Sequence, residues 1–120
     1  MLRTGFVLAL ALAALQAQAQ RTLQVVESSF ELRLANTTLP AGGVGDVSFK
    51  TCDKCTTMSR VMTASTQFFV GNQSVTAANF MTTADEIRKA ESTNPRSRLM
   101  LHVDLKTQNV NRAFLMRASR

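Results

Sequence analysis

From Ser29 to Ala35 the chain alternates, with Phe30, Leu32 and Leu34 falling between Glu31 and Arg33. This is the two-residue period of a strand with one buried face. Upstream, Leu23 and Val25 predict a strand over 21–27. Residues 36–43, with Asn, Thr, Pro and two glycines, have the composition of a loop. Val47 and Phe49 then mark a strand running toward Cys52. Beyond Cys55, Met58, Val61, Met62 and Ser65 fall at helical spacing, yet the threonine-rich run 56–66 favours a strand. The β propensity of these threonines predicts a strand.

Gly71-Asn72 sits between Gln67–Val70 and Gln73–Thr76. That placement predicts a two-residue hairpin, because glycine accepts the positive φ that a tight turn demands. A second hairpin closes the chain. Leu99, Leu101 and Val103 alternate with Met100, His102 and Asp104, a polar turn covers Lys106 to Asn109, and Val110 to Met116 return.

One helix is expected near residues 84–92. Thr83-Ala84-Asp85-Glu86 has capping-box spacing, so Thr83 can accept from the Glu86 amide while Glu86 reaches back. Asp85 and Glu86 suit the positive end of the helix dipole, and Arg88 and Lys89 come later. Asn94-Pro95 ends the segment. A short helical turn over 77–81 is expected to precede it. The predicted fold is therefore α+β: six or seven short, mostly antiparallel strands, curled into a small barrel or roll, with one helix before the last hairpin.

The start of the chain has a different character. One basic residue, Arg3, precedes an apolar run from Phe6 to Leu15, and Ala17-Gln18-Ala19 supply small residues where a signal peptidase reads. The run is about half the ~20 residues that a membrane-spanning helix needs. Residues 1–19 are therefore expected to be a cleavable, bacterial-type signal peptide. Residues 20–120 are then a single exported domain, periplasmic or extracellular, without a transmembrane anchor. No internal repeat or linker interrupts 20–120. Asn36-Thr37-Thr38 and Asn72-Gln73-Ser74 match the N-glycosylation acceptor pattern, which matters only in a eukaryotic host.

Fourteen basic against eight acidic residues give a formal net charge of +6. A basic surface attracts anionic lipids, acidic polymers or nucleic acid, more weakly as salt rises. Basic residues thicken toward the C-terminus, and Arg88, Lys89, Arg96, Arg98, Arg112 and Arg117 are the candidate anion-binding residues. They are interleaved with apolar residues and form no continuous run. With no Trp and no Tyr, only Phe can supply a stacking platform, which disfavours sugar-binding and single-strand-binding surfaces. The partners implied are another envelope protein or an anionic surface. No specific nucleic acid is implied.

Cys52-Asp53-Lys54-Cys55 is the one motif that carries chemistry. A structural disulfide fits an oxidising compartment. It also carries a geometric demand. Residues three apart on a continuous strand are ~10 Å apart, whereas a disulfide needs Cα atoms within about 7 Å. Oxidation therefore requires a turn at Asp53-Lys54. A redox dithiol is the main rival, and it is usually built at the head of a helix, where a thiolate is stabilised. Zinc needs four ligands and only one Cys pair is present, with His102 a possible third. Covalent haem needs a histidine after the second cysteine, where Thr56 stands.

Signatures of Ser hydrolases, HExxH metalloproteases and phosphate-binding loops are absent from the sequence. His102 is the single histidine and falls on the polar face of its strand. Gly42-Gly43-Val44-Gly45 precedes a strand and reads as a loop. The expectation is a non-enzymatic domain with no cofactor and no metal, acting by binding or within an envelope assembly. A thiol–disulfide redox protein using Cys52 and Cys55 is the first alternative, and a domain binding anionic polymers or lipids the second.

Overall fold

The computed structural model describes residues 26–118. The expected signal peptide, 1–19, and most of the strand expected over 21–27 lie outside the described residues. Seven strands and one helix follow. They are β1 (Glu27–Arg33), β2 (Thr37–Thr38), β3 (Gly45–Phe49), β4 (Met58–Val70), β5 (Gln73–Val75), α1 (Ala77–Ala90), β6 (Arg98–Asp104) and β7 (Asn109–Met116). The alternating segment thus begins two residues earlier than its apolar pattern suggests, and Leu34–Asn36 turn into a 3-10 helix. The expected loop over 36–43 contains the short β2 and a second 3-10 turn, Ala41–Gly43.

The strands form one curled, half-barrel sheet in the order β1-β6-β7-β4-β3-β2, with β5 added beside β4. Five of the six pairings are antiparallel. The exception is β4 against β7, which run parallel because β5, α1 and β6 carry the chain back between them. The thirteen-residue β4 joins the two regions that the sequence pattern separated. Its register shifts between Met62 and Gln67. There Thr66, buried, donates its hydroxyl to the Val110 carbonyl at 2.6 Å and accepts from the Thr63 amide at 2.9 Å. The β4–β5 hairpin turns at Gly71, φ 60°, in the glycine-first form of the two-residue turn.

The inner face of the sheet holds the core. Leu32, Val47, Phe49, Met62, Leu99, Leu101 and Leu115 are buried there. Phe30 meets Phe49 at 5.2 Å across the curl. Helix α1 covers this face with Phe80, Ala84 and Ile87, and Phe80 sits 4.9 Å from Phe68.

The helix differs from the expected 84–92. It starts at Ala77, and Thr76 is its N-cap, with Oγ1 accepting from the Asn79 amide at 3.1 Å. The Thr83–Glu86 box lies inside the helix. Spacings of four and three place Phe80, Ala84 and Ile87 on one stripe, and burying that stripe outweighs the weak helix propensity of Thr82 and Thr83. The expected turn over 77–81 is the first part of this same helix. It ends at Ala90, with Glu91 as the C-cap.

Candidate functional site

Pairing of β1 with β6 builds a concavity dominated by basic side chains. Leu34 donates to Ser97 and Leu105 donates to Val26, so even-numbered residues of β1 hold the ladder to β6. Arg33 and Arg98 are therefore directly opposite in a non-hydrogen-bonded pair, the kind that brings side chains closest. Their neighbours Leu32 and Leu99 point into the core, so both arginines stand on the outer face. Like charges facing each other across a sheet are unfavourable. Glu31 answers only one of them, meeting Arg98 at 3.0 Å.

Around this pair opens a cleft of about 580 Å³, lined by Arg33, Arg96, Arg98 and Arg117 with Glu31 and Asn94. Met116 lies opposite Arg98 and forms part of its apolar wall. Four guanidinium groups against one carboxylate make this a place where anionic groups are favoured. Arg96 is held there by its backbone. The Glu91 carboxylate accepts the amides of Arg96 and Ser97, each at 2.8 Å, and the Ser97 hydroxyl at 2.5 Å. The Ser97 hydroxyl above all, and then the two amides, hold the Glu91 carboxyl below its usual range.

Of the candidates named from sequence, Arg96, Arg98 and Arg117 meet in this cleft. Arg88 and Lys89 are on α1. The Arg88 guanidinium donates to the Thr37 carbonyl, tying the helix to β2, and lies 3.9 Å from Asp85. Lys89 is exposed. Arg112 is bound to Glu27 at 2.8 Å, with Asn111 donating to the same carboxylate. The Asn111 hydrogen bond, followed by the contact with Arg112, lowers the Glu27 pKa. Arg33 was missed by the sequence reading. Its strand was legible, but the register that sets it against Arg98 is a tertiary fact.

Cys52 and Cys55 form a disulfide, with Cα atoms 5.0 Å apart. The turn that oxidation requires is present, with the Cys55 amide bonded to the Cys52 carbonyl at 3.1 Å. Asn36 fastens this turn to the 3-10 helix that follows β1 by donating to Asp53 at 3.1 Å. The disulfide turn is not remote from the arginines. It borders a smaller groove of about 310 Å³ that shares Glu31, Arg33 and Arg98 with the main cleft. After Cys55 the chain enters strand β4, not a helix.

His102 lies on the outer face of β6. Its Nδ1 is 2.9 Å from the Ser29 hydroxyl, and its ring meets the edge of Phe114 at 5.4 Å. Among the described residues no three His, Cys, Asp or Glu side chains group as metal ligands, and no helix is long and apolar enough to cross a membrane. No protein-family model, curated protein or solved structure matches this chain. What the geometry establishes is a small β-rich domain with a disulfide and one helix. Its role is argued from the cleft.

Proposed function

We propose that this is an exported, non-catalytic domain that binds a partner bearing anionic groups through the Arg33–Arg96–Arg98–Arg117 cleft. The observation that carries this is the juxtaposition of Arg33 and Arg98, of which Glu31 answers only Arg98. A sheet tolerates two facing cations at a stability cost, and a bound anion turns that cost into affinity. Export is supported by the signal-like pattern of residues 1–19 and by the disulfide, which suits an oxidising compartment. The redox alternative is disfavoured because no helix N-terminus follows Cys55 to stabilise a thiolate.

The test is retention on heparin, a soluble multivalent anion, with elution by salt. Wild type should be retained and released as salt rises. Arg98→Ala and Arg117→Ala should each weaken binding roughly three- to tenfold, on the scale of one partly exposed charge-assisted contact. Arg88→Ala should leave retention unchanged, since its guanidinium is engaged with Thr37. Equal retention of wild type and the cleft variants would sink the reading. N-terminal sequencing of the exported protein should begin at Gln20.

A further inference from the structure

One row on the otherwise polar outer face of the sheet is apolar between Glu31 at one end and Ser74 at the other. An antiparallel sheet covered on one side normally turns polar residues to the other. Here register places Met100 opposite Phe114, and Phe114 opposite Phe69, in one row across β6, β7 and β4. The next row toward the cleft holds Arg33, Arg98 and Met116. The Phe69 and Phe114 rings stack at 4.5 Å with 11° between planes. All four apolar side chains of this stripe are half-buried. The single helix lies on the opposite face, against Phe68, so no helix of the described residues covers the stripe. Met116 belongs to both features, lining the arginine cleft and opening the stripe.

Arginines at one end and a methionine–phenylalanine stripe running from them match a ligand that is itself divided into an acidic head and a hydrocarbon part. A soluble polyanion would use the cleft alone and leave the stripe idle. We infer that this face seats on the surface of an anionic bilayer. The acidic headgroups enter the arginine cleft, and Met100, Met116, Phe69 and Phe114 press against the lipid beneath them. The inference rests on the anion-binding reading of the cleft and specifies what fills it. Methionine suits the task because its unbranched thioether adapts to an irregular apolar partner. Neither half is strong alone. Interfacial binding combines buried apolar area with attraction to acidic lipid, and both are present on one face.

The experiment is co-flotation of the full exported domain with vesicles of phosphatidylcholine alone or mixed with phosphatidylglycerol, at low and high salt. Partition onto the anionic vesicles, reduced by salt, and little onto the neutral ones is expected. Arg98→Ala with Arg117→Ala should lower partition about fivefold per arginine. Phe69→Ser with Phe114→Ser, and independently the milder Met100→Gln, should lower vesicle binding several-fold while heparin retention stays at the wild-type level. The Met100→Gln variant keeps the test valid if the phenylalanine pair does not fold, as judged by circular dichroism. Unchanged vesicle binding in folded stripe variants overturns the inference, as does equal partition onto neutral vesicles. Heparin retention without vesicle binding overturns it too and leaves the cleft reading standing. Loss of both removes the cleft reading itself.

Discussion

Glu91, the residue that caps α1, grips Ser97, the last residue before β6, at two atoms. One carboxylate oxygen accepts the Ser97 amide at 2.8 Å and the other accepts its hydroxyl at 2.5 Å. Ser97 is buried, and its hydroxyl oxygen in turn accepts the Ala118 amide at 3.0 Å. A single carboxylate thus sets the loop carrying Arg96 and, through Ser97, the segment beside Arg117. Fold and cleft meet at this point.

Replacing Glu91 should loosen both. Glu91→Ala removes three hydrogen bonds, and a loss of about 2 kcal/mol in unfolding free energy is expected. Because folding holds the Glu91 pKa below its unfolded value, its contribution is complete above the unfolded value of about 4.3 and fades as pH falls through the lower folded value. Glu27, shifted the same way by Asn111 and Arg112, adds to that trend. Urea titrations of wild type and Glu91→Gln should therefore differ most near neutrality and converge in acid. A gap that widened below pH 4 would contradict the assignment.

Thr66 offers a cleaner mutational pair. Its hydroxyl serves the Val110 carbonyl and the Thr63 amide at the irregular point of β4. Thr66→Val keeps the volume but leaves the buried Val110 carbonyl and the half-buried Thr63 amide without the hydroxyl, and about 1–3 kcal/mol of stability should go. Thr66→Ser should restore most of it, since it returns the hydroxyl and gives up only a methyl group. Thermal melts of the two variants would show whether the hydroxyl or the packing matters.

These sites also show how far a sequence reaches. Period-two alternation was enough to find β1, β3 and the β6–β7 hairpin, because each buries one face of its strands whatever the distance in sequence to its partner. Gly71-Asn72 gave its turn from two residues. The expected turn over 77–81 marked the start of α1, but its continuity with the later helix was hidden. Thr82 and Thr83 are weak helix formers, and only the packing of Phe80, Ala84 and Ile87 on the sheet joins the two. The parallel pairing of β4 with β7 depends on a crossover of some forty residues, which leaves no local trace. The site divided in the same way. Arg96, Arg98 and Arg117 lie close in the chain, whereas Arg33 joins them only through the β1–β6 register. Arg88 and Arg112 have the right chemistry but are engaged elsewhere, by Thr37 and Glu27.

Two neighbouring glycines should respond differently to the same change. Gly42 has φ 75° and open space where a Cβ would stand, so Gly42→Ala should cost only the left-handed backbone penalty of about 1–2 kcal/mol. Gly43 has φ 83°, and its Cβ would fall 2.7 Å from the Ala77 Cβ at the first turn of α1. Gly43→Ala must pay that same penalty and also push the helix off the 3-10 turn. It should be the worse of the two by at least about 1 kcal/mol in denaturant titration. Equal effects would mean that the contact between Gly43 and Ala77 is not tight in solution.

The disulfide should matter to the margin of the cleft more than to the existence of the fold. Cys52 and Cys55 are three residues apart, and closing so small a loop restricts the unfolded chain little. The chain-entropy relation gives about 2 kcal/mol. For a domain of this size that is a drop in melting temperature on the order of 10 °C, so a Cys52→Ser, Cys55→Ser variant should still fold cooperatively. The core, built from residues such as Phe49, Leu99 and Phe80, contains neither cysteine. What the bond pins is the turn that Asn36 holds through Asp53, beside the groove sharing Arg33 and Arg98 with the main cleft. The variant should consequently keep its fold, lose a few-fold in heparin affinity, and show the same absence of insulin-reducing activity as wild type. Insulin reduction by wild type that vanished with the cysteines, while heparin affinity stayed constant, would make Cys52 and Cys55 a redox centre instead of a strut.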